Sequence, residues 1–323
     1  MIPALVLTAG LATRLRPLSF VRAKAALPVA GEPLARRILR QLAAGGVTDA
    51  VLNLHHLPHT LTGVIGDGAD IGVRVRYSWE TPVLGSAGGP RRALPLLGSS
   101  PFLIVNGDTL TDVDLDALVE AHQQSGALVT LAVVPNTEPD KYSGVALEDG
   151  AFTRVVKRGA PEASYHFIGV QVANAEAFAS LADGVPANSL GAPLYQDLIR
   201  VRRGAVRGHV TAAEFFDIGT PADYLQTSLL LGQRDGRPGS HGARTRIAAD
   251  ARVIDSVLWD DVDVGAGAMV RECVVCDGAR IPPDTSWHGV SIRNVRLPES
   301  SGLHVVPMAP GERRIGDLAI ASL

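Results

Sequence analysis

Continuous apolar runs alternate with amphipathic stretches over about the first 135 residues. The run "ALVLTA" is apolar throughout, as expected for a strand buried on both faces of a parallel sheet. In "PLARRILRQLAAGG", Pro33 suits an early helix position, the apolar residues recur at helical spacing, and Gly45-Gly46 ends the pattern. Further strand-like runs, "AVLNL", "VRVRYSWE", "FLIVNGD" and "LVTLAVVP", are separated by helical segments. This βαβα order predicts an α/β protein with a parallel sheet covered on both faces.

The pattern changes after Pro135. The stretch "SGVALEDGAFTRVVKRG" predicts a hairpin around Asp149-Gly150, and "YHFIGVQVAN" predicts another strand. Helical patches follow at "NAEAFASL" and "PLYQDLIRVRR", and "EFFDIGTPADYLQTSLLLG" predicts a strand end running into a helix. The sequence thus predicts a Rossmann-like, mostly parallel sheet with a β-rich insertion, a type of insertion that often shapes a second substrate pocket.

The last third of the chain has a different texture. Residues 233–246 are rich in Gly, Arg, Ser and Pro without periodicity, which predicts a linker. Beyond the linker, apolar residues recur at a spacing close to six and are followed by small or acidic residues: Ile247, Val253, Val264, Val270 and Ile281. Such hexads are typical of a β-helix, of which about two turns would fit. The predicted organisation is a first domain over 1–232, the linker, and a short hexapeptide-repeat β-helix with a tail over 247–323.

Composition narrows the possible partners. The chain has 323 residues, of which 46% are hydrophobic, with 30 Lys and Arg against 33 Asp and Glu. The net charge of −3 gives no general electrostatic reason to expect nucleic acid or a membrane surface as a partner. The N-terminal apolar run is short and lacks a basic flank, and free thiols in "RECVVCDGAR" suit a reducing compartment. We therefore expect a cytoplasmic protein and no signal peptide.

Three predicted strand ends carry distinctive polar residues. In "LVLTAGLATRLRPLS", the small residues Thr8, Ala9 and Gly10 would let a ligand approach the backbone, and its N–H groups form an anion-binding nest. Arg14 and Lys24 add two cations, which together with the turn predict a polyphosphate site.

The other two strand ends carry carboxylates. Asp108 follows the apolar strand "FLIVN", and Asp217 ends the short strand in "FFDIGTPADY". Ligands of open parallel sheets collect at the carboxyl ends of strands, and two carboxylates near phosphates predict Mg²⁺.

In this order, the three segments resemble the sugar-1-phosphate nucleotidyltransferases, or NDP-sugar pyrophosphorylases, and most of all the mannose-1-phosphate guanylyltransferases. The similarity covers about residues 1–232 and rests on "TAGLATRLRPLS", Lys24, "LPVAGEPL", "ETPVLGSAGG", "VNGD", "YSGV", "FIGV" and "DIGTPADY". Many members of that family carry a C-terminal left-handed β-helix, which the hexads fit.

The resemblance implies transfer of a nucleoside monophosphate from a nucleoside triphosphate to a sugar 1-phosphate. It implies that Arg14 and Lys24 are the catalytic cations, and that Asp108 and Asp217 bind Mg²⁺. It also implies two sets of binding residues. For the nucleotide these are Leu7, Thr8, Ala9, Gly10, Thr13, Glu80, Gly85, Ser86, Ala87 and Asn106. For the sugar they are Gly144, Lys157, Arg158 and Gly169.

Two features depart from the family pattern. Ala12 stands where relatives usually have a second glycine, so a methyl group could crowd the phosphates or be tolerated. The sugar-binding Glu-Lys-Pro of the family is here Lys157-Arg158-Gly159, an exchange of acid for base that favours an acidic sugar or a second phosphate.

The base and the exact role stay open on the residues alone. The two adjacent donors of guanine would suit the carboxylate of Glu80, which predicts GTP and a mannose-1-phosphate-like sugar. A uridylyltransferase for an amino or acidic sugar 1-phosphate is the alternative. Ala12 and Lys157 also motivate a non-catalytic, sugar-nucleotide-binding regulatory subunit, and an acyltransferase role for the hexads is a further reading. We expect a homo-oligomer, with a dimer favoured because the hexad segment suits a dimer contact.

Overall fold

A computed structural model describes residues 2–191, 193–237, 241–299 and 302–323. By packing, the chain forms two compact units. Unit 1 comprises residues 1–10, 35–58 and 65–216, and unit 2 comprises residues 11–34, 59–64 and 217–323. No helix within these described ranges is long and apolar enough to cross a membrane. The predicted domain limits remain a prediction.

Unit 1 is built on a nine-stranded sheet. Its strands, in spatial order, are β5 (Arg74–Trp79), β4 (Asp49–Leu54), β1 (Ala4–Leu7), β6 (Phe102–Asn106), β11 (Tyr165–Ala173), β8 (Val129–Pro135), β12 (Val206–Val210), β10 (Ala151–Val156) and β9 (Gly144–Glu148). The first four strands are parallel, whereas β11 is antiparallel to both of its main neighbours, β6 and β8. The fold is therefore α/β, but its sheet is mixed rather than mostly parallel.

The helices confirm most of the amphipathic patterns. They are α1 (Leu34–Ala44), α2 (Pro58–Ile65), α3 (Gly85–Leu97), α4 (Leu115–Ser125), α5 (Pro193–Val201) and α6 (Pro221–Arg234). In α1, the apolar residues Ile38, Leu39 and Leu42 are buried, as their spacing predicts. The patch "NAEAFASL" forms only a 3₁₀ turn, Ala175–Phe178, so the prediction of a helix there is wrong. It buries only Ala177 and Phe178 and has no longer apolar stripe to extend it.

The hairpin around Asp149-Gly150 is confirmed, since β9 and β10 pair across these two residues. Both have positive φ, 51° and 75°, as a type I′ turn requires. The hairpin does not form a separate insertion, because β10 also pairs with β12 and continues the main sheet. The unit 1 core lies along the central strands, where Leu5, Ile104 and Leu131 are fully buried.

Short strands remain outside the main sheet. β7 (Thr109–Thr111) and β13 (Phe215–Asp217) form one pair, and β2 (Pro28–Val29) and β3 (Glu32–Pro33) form another.

Unit 2 contains three sets of short strands, and the strands within each set pair in parallel. They are β14, β17 and β20 (Arg246–Ile247, Asp263–Val264, Arg280–Ile281), β15, β18 and β21 (Arg252–Ile254, Met269–Arg271, Ser286–His288), and β16, β19 and β22 (Val257–Leu258, Val274–Val275, Val290–Asn294). Stacked groups recur every 17 residues, as in Arg244 and Asp261, one residue short of three hexads. We call residues 246–294 the coils.

The coils bury a core of their own. Val264, Val270 and Ile281 are buried as the hexads predict, whereas Ile247 is 37% exposed because β14 is the edge strand of its sheet. Cys273 and Cys276 are buried free thiols, and burial raises the pKa of both above the ordinary value.

The tail after the coils also forms strands. It contributes β25 (Arg313–Ile315) and β26 (Leu318–Ser322), which extend the sheet of β22, and a hairpin of β23 (Arg296–Glu299) and β24 (Gly302–Val305). The predicted linker over 233–246 overlaps the last turn of α6, and its residues 238–240 lie outside the described residues.

Candidate active site

The carboxyl ends of three neighbouring parallel strands are joined by hydrogen bonds. After β1, the backbone N–H groups of Thr8 and Ala9 donate to Oδ1 of Asn53 on β4, at 2.5 and 3.3 Å. The Thr8 hydroxyl donates to the Asn53 carbonyl. Nδ2 of Asn53 in turn donates to Oε1 of Glu80, which follows β5, at 2.7 Å. We call Thr8, Asn53 and Glu80 the strand-end cluster; it fixes the path of the chain from Thr8 into Gly10.

Glu80 is enclosed by protein in this cluster. Glu80 is 2% exposed, and its second carboxylate oxygen, Oε2, accepts the N–H of Leu84 at 2.7 Å. A methyl group on Gly89 would lie only 2.7 Å from Glu80 Oε1, so the helix α3 approaches the carboxylate closely. Both oxygens therefore have protein donors, and the geometry gives no support to the predicted reading of guanine by this carboxylate.

The predicted base-binding segment is held by the loop before α5. Ser86 N donates to Asn188 at 3.3 Å, and Ala87 N donates to the Ala187 carbonyl at 2.9 Å. Gly85 has φ of 76°, and a Cβ there would lie 2.7 Å from the Ala187 carbonyl oxygen. A glycine is therefore favoured at this position, and the N–H groups of Ser86 and Ala87 donate to the loop before α5.

A second group of predicted residues meets at the end of β6. Asn106 ends the strand, and Gly107 N donates to the Leu7 carbonyl at 2.9 Å. Gly169 of β11 has φ of 82°, and a Cβ there would lie 3.1 Å from both the Asn106 Cβ and the Thr109 hydroxyl. Asp108, half-buried, accepts from that Thr109 hydroxyl at 3.3 Å. The structure thus brings Asn106, Asp108 and Gly169 together.

The remaining predicted sugar residues lie on β9 and after β10. Gly144 is buried, and any Cβ there would collide with Ser164. Lys157 and Arg158 are exposed in the turn that follows β10, where the Ala160 N–H donates to the Lys157 carbonyl at 3.1 Å. Their charges are therefore open to solvent and to an anionic ligand.

Three aromatic rings pack together near Gly144. The ring centroids of Tyr142 and His166 are 4.3 Å apart, and the Phe215 ring lies 4.9 Å from His166 and 5.7 Å from Tyr142. Burial lowers the pKa of His166 below its ordinary value, so this imidazole is neutral near pH 7. The rings form a half-buried, uncharged surface that suits the apolar face of a sugar.

In unit 2, the turn that continues from Gly10 bends at Ala12. Ala12 has φ of 47° and ψ of 46°, in the left-handed region that glycine adopts most easily, and its carbonyl accepts the Ser19 hydroxyl at 2.9 Å. The residue thus takes the conformation that the family glycine would favour. Thr13 and Arg14 follow in a 3₁₀ turn, Thr13–Leu15, and are exposed.

Charged groups of unit 2 converge on Gly219. A methyl group there would lie 3.4 Å from Nη1 of Arg14, 3.4 Å from Oδ2 of Asp217 and 3.3 Å from Oδ2 of Asp223. Asp223 also completes a capping box with Thr220 at the start of α6, which fixes this loop. Arg14 and Asp217, 203 positions apart by residue number, are therefore neighbours.

A magnesium ion that is completed by substrate phosphates needs few protein ligands. Over residues 2–191, 193–237, 241–299 and 302–323, no group of three or more His, Cys, Asp or Glu side chains is arranged to hold a metal. Mg²⁺ is commonly bound by one or two carboxylates plus substrate phosphates rather than by a protein cage. The Asp108 carboxylate in unit 1 and the Asp217 carboxylate in unit 2 are each of the ligand type that Mg²⁺ prefers.

Two residues of the site escaped prediction. Asn53 is a polar residue in the apolar run "AVLNL", and a buried amide of this kind needs hydrogen-bond partners, which was the available signal. Gly219 carried no such signal. Only the folded structure shows that a side chain there would crowd Arg14, Asp217 and Asp223.

Comparison with known proteins gives one family. The family described as nucleotidyl transferase matches residues 3–234. A mannose-1-phosphate guanylyltransferase of Mycobacterium tuberculosis is 28% identical over 294 residues, which are 87% of this chain and 81% of that protein. An N-acetylmuramate alpha-1-phosphate uridylyltransferase of Neisseria meningitidis is 34% identical over 236 residues, 71% of this chain and 98% of that protein.

A solved structure shares the fold. HddC from Yersinia pseudotuberculosis, also crystallised with GMP-PN, superposes with a TM-score of 0.62 at 21% identity and covers 72% of this chain and 100% of HddC. At this identity the likeness supports the fold alone.

Proposed function

Because the chain belongs to the nucleotidyl transferase family, we propose that it transfers a nucleoside monophosphate from a nucleoside triphosphate to a sugar 1-phosphate. GTP is the proposed nucleotide and a mannose-1-phosphate-like sugar the proposed acceptor. The guanylyltransferase relative supports this choice, since its match extends over 294 residues and so beyond the family domain. Glu80 does not enter this choice, because its oxygens are bonded to Asn53 and Leu84.

The convergence of Arg14 and Asp217 on Gly219 carries the proposal. A guanidinium and a carboxylate held beside one glycine provide a cation for phosphate oxygens and a ligand for the metal that accompanies them. Neither side chain needs to be a nucleophile or a base. Phosphoryl and nucleotidyl transfer depend mainly on position and on neutralisation of charge.

The proposed reaction is a single displacement at phosphorus. A phosphate oxygen of the sugar 1-phosphate attacks the α-phosphorus, the bond from that phosphorus to the β-phosphate oxygen breaks, and pyrophosphate leaves. Arg14 would hold the β- and γ-phosphates and stabilise the charge on pyrophosphate. Lys24 would hold the α-phosphate and the incoming phosphate. Asp108 and Asp217 would hold Mg²⁺, and its charge would offset that of the phosphates.

Elsewhere in the proposed site, the strand-end cluster would hold the loop from Thr8 to Gly10 beside the nucleotide. Gly144 and Gly169, where side chains do not fit, would allow the sugar to approach the backbone, and Lys157 and Arg158 would meet its anionic groups. We also infer that the nucleotidyltransferase domain spans 1–232, that the coils are a left-handed β-helix, and that the protein is a cytoplasmic dimer.

A second candidate is a uridylyltransferase for an amino or acidic sugar 1-phosphate. The uridylyltransferase relative is matched over 98% of its length at 34% identity, and Lys157 and Arg158 are exposed cations on the proposed sugar side. These cations would favour a carboxylate on the sugar.

Pyrophosphate release from a panel of nucleoside triphosphates and sugar 1-phosphates tests both candidates. Turnover with GTP and mannose 1-phosphate is the expected result, and turnover with UTP but not GTP would establish the second candidate. Tight binding of an NDP-sugar without pyrophosphate release in any pairing would instead indicate the non-catalytic regulatory subunit.

A further inference from the structure

The segment 11–34 carries both proposed catalytic cations and belongs to unit 2, as do the coils. Its helical structure consists of three short 3₁₀ turns: Thr13–Leu15, Leu18–Phe20 and Lys24–Ala26. Turns of this kind make few internal hydrogen bonds, so the position of the segment depends on what it packs against.

Arg22 joins this segment to two successive 17-residue repeats within the coils. Its Nε and Nη2 donate to the two carboxylate oxygens of Asp277, both at 2.7 Å, and Nη2 also donates to Asp260 at 2.7 Å. Asp277 accepts the backbone N–H of Asp260 at 3.1 Å, which links the coils to each other. The Arg22 side chain is 12% exposed, so this ion pair is shielded from solvent far more than a surface pair.

A second contact lies on the other side of Lys24. Trp259, fully buried, donates from Nε1 to the Tyr224 hydroxyl at 2.9 Å, and that hydroxyl donates to the Pro28 carbonyl. The Arg22 guanidinium also lies 5.4 Å from the centre of the Trp259 ring. Residues 22 and 28 are therefore both held by the same group of side chains, with Lys24 between them.

The Arg22 guanidinium keeps its charge. Burial alone would lower the pKa of Arg22, but its hydrogen bonds to Asp277 and Asp260 outweigh burial and raise this pKa above its ordinary value. The bidentate geometry with Asp277 also fixes the plane of the guanidinium, which a lysine cannot reproduce.

We propose that Arg22, Tyr224, Trp259, Asp260 and Asp277 form a coil clamp that positions Lys24 for nucleotidyl transfer. Through the clamp, the coils would contribute to catalysis by holding the segment that bears Lys24. The proposal that it orders the segment stands on these contacts, and its consequence for turnover rests on the proposed function. Arg22 is a positioning residue, because it acts through the backbone of the segment that bears Lys24.

Three variants of the full chain test the clamp. Arg22→Ala removes it, Arg22→Lys keeps the charge without the bidentate pair, and Asp260→Asn weakens one of its hydrogen bonds at a residue whose side chain is 35% exposed. Arg244→Ala is the matched control, since Arg244 makes a bidentate pair with Asp261, at 2.6 Å for both bonds, and is exposed.

Hydrogen exchange in peptides covering 11–34 is the first readout, with β4 as the internal reference. We expect about tenfold faster exchange of this segment in Arg22→Ala and no change in β4 or in Arg244→Ala. The second readout is pyrophosphate release. The expected loss of kcat is about 10- to 100-fold for Arg22→Ala, with KM for the triphosphate little changed, and smaller for Arg22→Lys and Asp260→Asn.

Unchanged exchange over 11–34 in Arg22→Ala would overturn the clamp. Faster exchange with a kcat equal to that of Arg244→Ala would overturn its role in turnover. If Arg22→Ala does not fold, Arg22→Lys and Asp260→Asn decide by the same two readouts. If the wild type releases no pyrophosphate with any substrate pair, the proposed function fails, and the exchange data still decide whether the clamp orders the segment.

Discussion

The strand-end cluster and the coil clamp each hold a segment of the chain in place, but they do so through different contacts. In the cluster, Thr8, Asn53 and Glu80 lie 45 and 27 residues apart and come from neighbouring strands of one sheet. In the clamp, Arg22 meets Asp260 and Asp277, which are 238 and 255 residues away and lie in another kind of structure. The cluster is held by hydrogen bonds that lead to the buried carboxylate of Glu80, whereas the clamp is held by the ion pair of Arg22.

The two arrangements respond differently to the loss of a side chain. A buried carboxylate with two protein donors stabilises the fold itself, because losing it strands those donors in the interior. An ion pair that holds a segment of short turns mainly affects where that segment lies. We therefore expect changes in the cluster to appear first in stability and changes around the segment to appear first in turnover.

The largest effect is expected at Glu80. Glu80→Ala leaves the Asn53 amide and the Leu84 N–H without an acceptor, so the free energy of unfolding should fall by about 2–4 kcal/mol. Denaturant unfolding measures this change. Asp183→Ala, which breaks an exposed ion pair with Arg92, is the control and should cost less than about 0.5 kcal/mol. Equal losses in the two variants would contradict the structural role of Glu80.

Arg14 should show the opposite behaviour. Because Arg14 is exposed, Arg14→Ala should leave the free energy of unfolding within about 0.5 kcal/mol of the wild type. Its kcat should nevertheless fall by about a hundredfold or more, as for other groups that stabilise developing charge. Arg16→Ala, on the same exposed turn, is the control for turnover. Wild-type turnover in Arg14→Ala would remove the basis of the proposed mechanism.

A smaller effect is expected at Gly219. In Gly219→Ala, the methyl group would lie 3.3 to 3.4 Å from Arg14, Asp217 and Asp223, so these side chains must shift by a few tenths of an ångström. We expect about a three- to tenfold loss of kcat with a stable fold. Gly191→Ala, where a methyl group meets nothing within 4 Å, should behave as the wild type in steady-state kinetics. Equal kcat values for the two alanine variants would show that the convergence on Gly219 is unimportant.

The smallest effect is expected in the pH dependence of stability. His122 of unit 1 is 3% exposed, and burial lowers its pKa below the ordinary 6.5, whereas Arg22 in the clamp keeps its charge. As pH falls through 6.5, the unfolded chain takes up a proton that folded His122 resists, so this residue makes the unfolding free energy fall. His122→Gln should weaken the pH dependence measured by unfolding between about pH 7.5 and about pH 5.5. An unchanged dependence would show that His122 does not contribute.

Much of unit 1 followed from local pattern. The apolar runs predicted β1, β4, β6 and β8, and the two turn residues Asp149 and Gly150 predicted the β9–β10 hairpin. The mixed character of the sheet did not follow, because an apolar run for β11 is the same whether the strand lies parallel or antiparallel to β6. The predicted site residues remain proposals, although the structure places Arg14 and Asp217 side by side around Gly219.

The order of residues alone is enough to predict which segments are buried strands, where small residues and cations cluster, and which family the signature resembles. These properties depend on the order and spacing of residues along the chain, so they can be predicted without knowledge of the packing. The folded structure was needed to show that Glu80 accepts a hydrogen bond from Asn53, that three charged side chains surround Gly219, and that Arg22 donates to Asp277 of the coils. Each of these depends on groups far apart in the chain, whose approach is set by the burial and hydrogen bonding of everything between them.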